Sequence, residues 1–284
     1  MEQWHTCPVC GLTDVVALYV VNGYDIARCE GCRLVFVRQR LTADELSRYY
    51  ASGGDVVYSD PENVANLNFY FLKLRSLIEE QLPTGGRRLL DVGCSAGNFL
   101  DVMAGWDVYG VEMDPSAAGR AQERYGNRVH HGTLDDLPQP TRQFDVVTLL
   151  DTFDHVVDPL TTLARCHALL RPGGMLVIKV HDISCLYARL AGKRFYAIIP
   201  PSHLFYYEEA SLRFVLSRAG FVPQSARHIG HRLFLKTIPY RLARSRTSGV
   251  FFRLYQVLDR LRLGNLAVPK NLHDIITVTA LRGG

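Results

Sequence analysis

Short apolar runs and longer amphipathic stretches alternate regularly from residue 88 onward. Runs of four to eight apolar residues predict buried strands, and apolar positions three or four residues apart predict helices. The strands are predicted near 88–92, 107–111, 128–131, 144–150, 174–180, 221–229 and 274–281, and the helices near 97–104, 115–125, 158–169 and 208–219. Because strand and helix alternate up to residue 219, the pattern predicts an α/β fold with a parallel sheet and right-handed crossovers.

The first 85 residues show a different pattern, with shorter apolar runs and several glycines. Strands are predicted at Val15–Val21 and Leu34–Val37. Thr42 and Glu45 form a helix-capping pattern within a linker. A longer helix is predicted from Pro61 to about residue 82, because proline is favoured in the first turn of a helix.

Four of the seven cysteines form two Cys-x-x-Cys pairs with 18 residues between them. The pairs are Cys7 with Cys10 and Cys29 with Cys32. Each pair offers two thiolates to one tetrahedral ion, which is the arrangement of a zinc ribbon. A redox Cys-x-x-Cys is the alternative, and the presence of two matched pairs argues against it. Four thiolates leave no open coordination position, so we expect this zinc to be structural.

A glycine-containing turn follows the strand predicted at 88–92 and leads into a helix. The segment reads D-x-G-x-x-x-G, with Asp91, Gly93 and Gly97 at the specified positions, whereas a dinucleotide site is expected to read G-x-G-x-x-G. Glycines let the backbone approach a ligand closely, and the free N–H groups at the start of the helix point toward it. The carboxylate of Asp91 can pair with an α-amino group, which a dehydrogenase does not need here.

A second acid supports a nucleoside ligand at the same edge of the predicted sheet. Glu112 ends the next strand, nineteen residues after Gly93. That spacing suits a carboxylate that accepts hydrogen bonds from both hydroxyls of a ribose. A glycine turn, a ribose acid and an amino-group acid together fit S-adenosylmethionine better than NAD.

At these residues the chain resembles the class I S-adenosylmethionine-dependent methyltransferases. The resemblance covers roughly residues 86 to 230 and continues through three further motifs in the family's order, at Phe144–Val147, Asp154–Pro159 and Leu170–Val177. It implies a Rossmann-like, seven-stranded sheet whose last strand runs antiparallel to the others. It also implies that a segment over 49–70 lies above the cofactor as a lid, although the tyrosines of this segment could equally pack against the zinc module.

The resemblance implies a set of cofactor contacts. Asp91 and Gly93 belong at the methionine end, Glu112 at the ribose, and Asp135 beside the adenine. Leu150 and Asp151, at the end of the fourth strand, are expected to line the sulfonium. The complete predicted cofactor-binding set is Asp91, Gly93, Cys94, Gly97, Glu112, Met113, Asp135, Leu150 and Asp151.

Histidines are the candidates for a base that removes a proton from the acceptor. His203 lies in an aromatic loop that begins with two prolines, and His181 follows the strand near 174–180. His155 belongs to a motif that most relatives use for folding and cofactor packing. The aromatic loop and the zinc ribbon together look like methyltransferases that act on sugar nucleotides and polysaccharide precursors, some of which use a histidine here as a base. We therefore name His203 first and His181 second as catalytic residues.

Charge and composition limit the kinds of partner and the compartment that we expect for this chain. The chain has 284 residues and a net charge of +4, which is too small by itself to indicate nucleic acid. No apolar run approaches the roughly 18 residues of a membrane span, and the N-terminus does not resemble a signal peptide. Cysteines in two close pairs fit metal binding in a reducing cytosol better than they fit disulfides, so we expect a cytoplasmic protein.

One segment contains an unusually high proportion of basic residues. Residues 232–270 are predicted to interrupt the final pair of strands as a basic helical insertion. Within 232–263, a single acid, Asp259, opposes eight basic residues: Arg232, Lys236, Arg241, Arg244, Arg246, Arg253, Arg260 and Arg262. Apolar residues at near-helical spacing are interleaved with them. The segment is either a helix that packs on the sheet edge with a solvated basic face, or a contact for an anionic acceptor or an anionic membrane surface.

These observations predict three units: a zinc ribbon and linker over 1–50, a helical lid or linker over 51–85, and a methyltransferase domain over 86–284. The leading functional hypothesis is methyl transfer to a small-molecule acceptor such as a sugar, a sugar nucleotide, or a natural-product or glycan precursor. One alternative is an RNA base methyltransferase, since some of these also carry a zinc module. The other alternative is a non-catalytic protein that recruits a partner through its zinc ribbon.

Overall fold

A computed structural model describes residues 2–40, 42, 45, 48, 61–82, 86–137, 143–240 and 249–284. Its centre is a sheet of seven strands: β6 Arg88–Val92, β7 Asp107–Glu112, β8 Val129–His131, β9 Phe144–Leu150, β10 Leu170–His181, β12 Phe221–Arg227 and β15 Ile275–Arg282. The spatial order is β12-β15-β10-β9-β6-β7-β8. β15 is antiparallel to both of its neighbours, and the other pairings are parallel. The predicted α/β fold with a seven-stranded sheet is confirmed.

The helices of the described residues are α1 Pro61–Gln81, α2 Asn98–Val102, α3 Pro115–Tyr125, α4 Pro159–Leu169, α5 Leu186–Ala191, α6 Glu209–Arg218 and α7 Gly249–Arg260. Five of them begin and end close to their predicted bounds, whereas α5 was not predicted and α7 was predicted only as part of the helical insertion. Two of them start at an Asp-Pro pair, where the aspartate accepts a hydrogen bond from the backbone N–H three residues later: Asp114 for α3 and Asp158 for α4. Such a cap fixes the first turn and stabilises a helix by about 1 kcal/mol.

The N-terminal residues form a smaller antiparallel sheet. Its strands in spatial order are β11 Phe205–Tyr206, β4 Val35–Val37, β3 Tyr24–Cys29 and β2 Val15–Val21, and a separate pair joins β1 Glu2–Gln3 to β5 Gln39–Arg40. β3 was not predicted from the sequence. The missed signal is Asn22-Gly23, which joins β2 to β3 with both residues at positive φ, the backbone of a tight hairpin turn. We call residues 2–40 the four-cysteine module.

A strand of the small sheet comes from the second half of the chain. The sequence predicted a loop over residues 200–207, and the structure differs because Phe205 and Tyr206 pair antiparallel with β4. The pairing partners are some 170 residues apart in the sequence, so a local pattern could not identify this strand. The four-cysteine module is therefore joined to the larger domain through a shared sheet.

Successive residues of the central strands point to two different apolar cores, as expected for a sheet covered on both faces. Leu90 and Val147 pack in one core, together with apolar residues of the four-cysteine module and of β11. Leu89 and Val146 pack in the other, together with Tyr70 and neighbouring apolar residues of α1. The four-cysteine module and α1 thus cover opposite faces of the central sheet.

The basic insertion forms part of the surface. It contains β13 His231–Phe234, which pairs with β14 Ala267–Lys270, and the helix α7 between them. None of the residues of α7 is buried. Asn66 of α1 anchors the insertion, since its amide donates to Thr237 Oγ1 and accepts from the Phe234 N–H.

Several predictions concern residues outside the described ranges. They include most of the linker over 41–50, the tyrosine-containing segment 49–60, and Arg241, Arg244 and Arg246 of the insertion. Thr42 and Glu45 do exchange the reciprocal hydrogen bonds of a capping box. Among the described residues, no helix combines the length and the apolarity needed to cross a bilayer.

Candidate functional site

A cavity of about 390 Å³ opens at the carboxyl ends of β6, β7 and β9. This is the edge at which open parallel sheets bind ligands. Of the predicted cofactor residues, six line it: Gly93, Glu112, Met113, Asp135, Leu150 and Asp151. Its volume lies in the range of small-molecule and cofactor sites. We call it the cofactor cavity.

The turn after β6 has a backbone that requires glycine at its first position. Gly93 has a φ of +76°, and an added Cβ would lie 2.3 Å from Thr152 Oγ1. The N–H groups of Gly93 and Cys94 both donate to the carbonyl of Val111, which ties the turn to the neighbouring strand. Gly97, at a φ of +82°, is the N-cap of α2. The turn therefore approaches the cavity with its backbone rather than with side chains.

Glu112 is fixed at the end of β7 by two backbone donors. Its Oε2 accepts from the Ser95 N–H at 2.8 Å, and its Oε1 accepts from the Asp114 N–H at 2.8 Å. Burial raises the pKa of this carboxyl, and the two backbone hydrogen bonds oppose the shift. Each carboxylate oxygen has a second lone pair, so both can still accept a hydrogen bond from a ligand hydroxyl.

Asp91 lies behind the turn and not on the wall of the cofactor cavity. It faces a small adjoining cleft that it lines together with Cys94 and Phe99. Gly93, Ser95 and Leu150 line both the cleft, which has a volume of about 10 Å³, and the cavity, so the two adjoin. Thr148 Oγ1 donates to Asp91 Oδ1 at 2.6 Å, and burial raises the pKa of Asp91 to about 7. An ammonium group in the cleft would supply the positive charge that this buried carboxyl lacks.

The other predicted cofactor residues occupy different positions. Cys94 is buried, and its sulfur occupies the space that a side chain at Gly110 would need. Gly97 lines neither the cavity nor the cleft. Asp135 lies at the cavity wall, and its Oδ1 accepts from Arg165 Nε at 2.8 Å.

A buried ion pair stands at the end of β9. Lys179 of β10 is only 2% exposed and donates to Asp151 Oδ2. Its ammonium group also lies 4.7 Å from the centroid of the Tyr70 ring, within the range of a cation–π contact. Asp151 has a φ of +54°, an uncommon conformation for aspartate. A lysine inside an otherwise apolar strand was the sequence signal for this pair, and it was missed.

Three histidines surround the buried carboxylate of Asp154. The nearest contacts of its oxygens are His203 Nδ1 at 3.5 Å, His181 Nδ1 at 3.6 Å and His155 Nε2 at 3.8 Å. Burial of Asp154 by itself raises its pKa, but the three imidazoles outweigh it and hold the pKa well below the usual range. The structure thus brings together both predicted catalytic histidines, His181 and His203. Of the three histidines, only His155 lines the cofactor cavity.

Asp154, His181 and His203 each offer an atom within 4.8 Å of the others, so a metal ion has to be considered. His203 Nδ1 argues against one. This nitrogen faces Asp154, and it also lies 2.8 Å from the carbonyl oxygen of Ala197. Two acceptors around Nδ1 place the proton on that nitrogen, and a protonated nitrogen cannot ligate a metal. The arrangement is a carboxylate–imidazole cluster.

The same proton assignment leaves Nε2 of His203 as the basic atom. Burial lowers the pKa of His203 to about 4, and the charge of Asp154 opposes this shift. The ring is therefore neutral near pH 7, the state in which an imidazole accepts a proton. The ring of His181 lies 5.3 Å from that of Tyr196, whose hydroxyl donates to Asp274 Oδ2 at 2.7 Å.

The four cysteines of the N-terminal module lie in one cluster. Their sulfurs are all within 4.8 Å of one another, and the contacts are 3.5 Å for Cys7 with Cys32 and 3.4 Å for Cys10 with Cys29. These separations are far longer than the roughly 2 Å of a disulfide. Thiolates about 2.3 Å from a tetrahedral ion would be about 3.8 Å apart. The cluster fits such an ion.

Comparison with known proteins agrees with this geometry. Residues 65–226, more than half of the chain, match the family described as "Methyltransferase domain". A ubiquinone biosynthesis O-methyltransferase of Aromatoleum aromaticum is 35% identical over 107 residues, which cover 35% of this chain and 46% of that protein. One of the same name from Cereibacter sphaeroides is 39% identical over 103 residues, 34% of this chain and 42% of that protein. The match thus spans less than half the length of these relatives.

A similar fold occurs in magnesium protoporphyrin IX methyltransferase from Synechocystis, solved with bound SAH. The two structures align with a TM-score of 0.54 over 85% of this chain and 100% of that one, at 17% sequence identity. At this identity the likeness concerns the fold alone.

Proposed function

The chain belongs to the methyltransferase domain family, and on that premise we propose that it transfers the methyl group of S-adenosylmethionine to a small-molecule acceptor. The observation that carries the proposal is that the cofactor cavity adjoins the Asp91 cleft at Gly93. A ribose acceptor, Glu112, and a buried partner for an ammonium, Asp91, stand on either side of a glycine turn. S-adenosylmethionine carries both of the groups that these acids would bind.

The cofactor fits this site in one direction. Its methionine end would enter the cleft beside Asp91, and its ribose would bind Glu112. The adenine would lie near Leu134 and Asp135, which line the same cavity. The sulfonium would then lie near Leu150 and Asp151, at the junction of the cavity and the cleft. This placement assigns no direct contact to Cys94, Gly97 or Met113 of the predicted set.

The acceptor would approach from the side of β10. Methyl transfer is an in-line displacement, so the protein must align the nucleophile, the methyl group and the sulfur. The groups beyond Asp151 on this side are polar: Lys179 donates to Asp151, and the Tyr196 ring lies beside His181 while its hydroxyl donates to Asp274. Polar groups near the expected position of the acceptor suit a hydroxyl-rich molecule. We infer a sugar, a sugar nucleotide or a related natural-product or glycan precursor.

A base is needed only if the accepting atom carries a proton. His203 suits that role because its ring is neutral and its Nε2 is the unprotonated nitrogen, while Nδ1–H is held by the Ala197 carbonyl. The proton would pass from the acceptor to Nε2 as the methyl group moves. Asp154 would stabilise the resulting imidazolium. His181 is the second candidate, because its Nδ1 also faces Asp154.

Zinc is the metal that four thiolates in a tetrahedral arrangement favour. We assign it to Cys7, Cys10, Cys29 and Cys32, where it would supply folding energy and no chemistry. A module of about 40 residues rarely folds on its hydrophobic core alone, which makes a structural metal necessary.

The exposed helix α7 supports a second binding role, contact with an anionic membrane surface. Val250, Leu254 and Val257 lie on one face of the helix at i, i+4 and i+7, Leu261 directly follows the helix, and each of the four is between 46% and 71% exposed. Arg253 and Arg260 flank this apolar row. A helix with an apolar face and adjacent arginines is typical of segments that lie in the interface of anionic bilayers.

The ribose assignment predicts the effect of removing one carboxylate. Glu112→Ala should weaken S-adenosylmethionine binding by about 1.5–3 kcal/mol, because hydrogen bonds to a charged partner are lost. Titration calorimetry measures this, with Glu123→Ala, on the exposed surface of α3, as the matched control. Unchanged affinity in Glu112→Ala would move the ribose elsewhere, and tight NAD binding by the natural chain would overturn the proposed function.

The base assignment predicts a split between turnover and cofactor affinity. An acceptor is first found by screening sugars and nucleotide sugars for S-adenosylhomocysteine release. His203→Ala should then lower kcat roughly 10²–10⁴-fold and leave cofactor affinity nearly unchanged. His181→Ala should be milder, and His131→Ala, an exposed histidine on β8, should have no effect.

The pH profile distinguishes the two histidines further. Protonation of His203 would stop proton transfer, so kcat should fall as the pH drops toward about 4, and this limb should vanish only in His203→Ala. If His181→Ala shows the large loss and the altered limb instead, His181 is the base.

The zinc assignment predicts one zinc ion per chain by elemental analysis. Cys7→Ser should lose the ion and unfold the four-cysteine module, because structural zinc contributes folding energy directly. Cofactor affinity should persist. Cys166→Ser, at a buried cysteine in α4 outside the cluster, should keep the ion. Purified natural chain without stoichiometric metal would contradict the assignment.

The membrane proposal predicts co-sedimentation with vesicles that contain phosphatidylglycerol. Replacing Arg253 and Arg260 with glutamine should weaken this binding and reduce its dependence on salt. Matched replacement of Arg194 and Arg218, which are exposed elsewhere, should change neither. An identical salt profile in both double variants would show that α7 is only a solvated surface helix.

A further inference from the structure

The loop that carries His203 is attached to the four-cysteine module on both sides of the histidine. Phe205 and Tyr206 of β11 pair with Phe36 and Val35 of β4. One step closer to the histidine, the Val37 N–H donates to the carbonyl of Leu204 at 2.9 Å. Backbone pairing of this kind sets the register of the loop as well as its position.

Two side chains of the module extend the attachment. Asn22 donates from Nδ2 to the carbonyl of Pro200 at 3.2 Å. Arg33 forms an ion pair with Glu208, directly after the loop. Contacts at residues 200, 204–206 and 208 therefore enclose His203. We call residues 199–207 the His203 loop.

Apolar packing continues across the same junction. Leu34 and Phe36 are fully buried, and they belong to one core with Phe195, Leu204 and Tyr207. Removing the module would expose this part of the core to water. At about 25 cal/mol per Å² of apolar surface, that exposure would be unfavourable and would loosen the loop.

The module in turn depends on its cysteines. Cys29 ends β3, and its N–H donates to the carbonyl of Leu34, directly before β4. Cys32 lies between those two residues. An ion bound to both cysteines would therefore fix the start of β4, the strand that pairs with the His203 loop. Without an ion, four close thiols offer each other little stabilisation.

Among the described residues, the cofactor side of the site has no contact of this kind with the four-cysteine module. None of the residues that line the cofactor cavity or the Asp91 cleft belongs to the four-cysteine module. Within the larger domain, the His203 loop is held by the carbonyl of Asp154, which accepts from the N–H groups of Leu204 and Phe205. Loss of the module would leave those bonds exposed on one side and the cofactor cavity intact.

From these contacts we propose that the four-cysteine module is a positioning element, whose bound metal holds His203 against Asp154 through the pairing of β4 with β11. The consequence for turnover rests on the proposed role of His203, whereas the structural coupling does not. Metal loss should therefore act on the acceptor side of the site alone. Turnover would fall while cofactor affinity stays.

Hydrogen–deuterium exchange of the full chain tests the coupling without an activity assay. Chelation of the metal, or Cys7→Ser, should accelerate exchange of backbone amides in the His203 loop by about tenfold or more, because their pairing partners are lost. Exchange in β7 and β8 should not change. Calorimetry in the same samples should give S-adenosylmethionine affinity within about twofold of the untreated chain.

A double variant tests the attachment with the thiols in place. Asn22 and Arg33 both have positive φ, so Asn22→Gly with Arg33→Gly removes the two bridging side chains without straining the backbone. It should keep its zinc and still accelerate exchange in the His203 loop. Arg262→Gly, also at positive φ but in the insertion, is the matched control and should not.

These experiments distinguish the positioning role of the four-cysteine module from the role of His203 as the base. If the His203 loop stays protected while the metal-free module exchanges freely, the positioning role is wrong. If the loop loosens on metal removal but His203→Ala retains full turnover, the coupling stands and the base assignment fails.

Discussion

The carboxylate of Asp154 is buried at the end of the central sheet, and the acceptor side of the molecule depends on how its charge is balanced. Removing an ionised carboxylate from water costs several kcal/mol unless partners replace the lost hydration. Here the nearest side chains are imidazoles at 3.5–3.8 Å, from the adjacent residue, the end of β10 and the His203 loop, and neither carboxylate oxygen has a hydrogen-bond partner among the described residues. The loop is held at Asp154 by the backbone carbonyl of that residue and, on its other side, by the pairing of β11 with β4. A single buried charge thus connects the sheet, the histidines and the four-cysteine module.

The two halves of the site are built differently. On the cofactor side, contacts come from neighbouring strands and short turns, so the geometry around Gly93 and Glu112 is local. On the proposed acceptor side, the groups come from elements distant in sequence, including α1, β10 and the His203 loop, which the four-cysteine module contacts. We infer that changes in the N-terminal residues leave the geometry of the cofactor side unaltered, whereas they alter the geometry of the acceptor side. In such an arrangement, changes in the elements that form the acceptor side would change which acceptor is bound.

The sequence predicted the parts of this structure that depend on local signals. Pro61 marked one helix start, the spacing of apolar residues marked the other predicted helices, and apolar runs marked the strands of the central sheet. The hairpin strand β3 was missed although Asn22-Gly23 indicated it, since Asp25 and Arg28 interrupt its apolar residues, whereas β2 is a continuous apolar run. β11 could not have been found, because a two-residue strand exists only through its distant partner. The cluster around Asp154 was hidden for the same reason: His181 and His203 are separated from it in sequence, and only the fold brings them together.

A crystal structure of the chain with S-adenosylhomocysteine would test the account most directly. We predict that the ribose hydroxyls lie within hydrogen-bonding distance of Glu112 and that the amino group enters the cleft beside Asp91. The sulfur should lie near Leu150 and Asp151, on the side that faces His181 and His203. A ribose bound away from Glu112, or a sulfur that faces away from both histidines, would contradict the division into a cofactor side and an acceptor side.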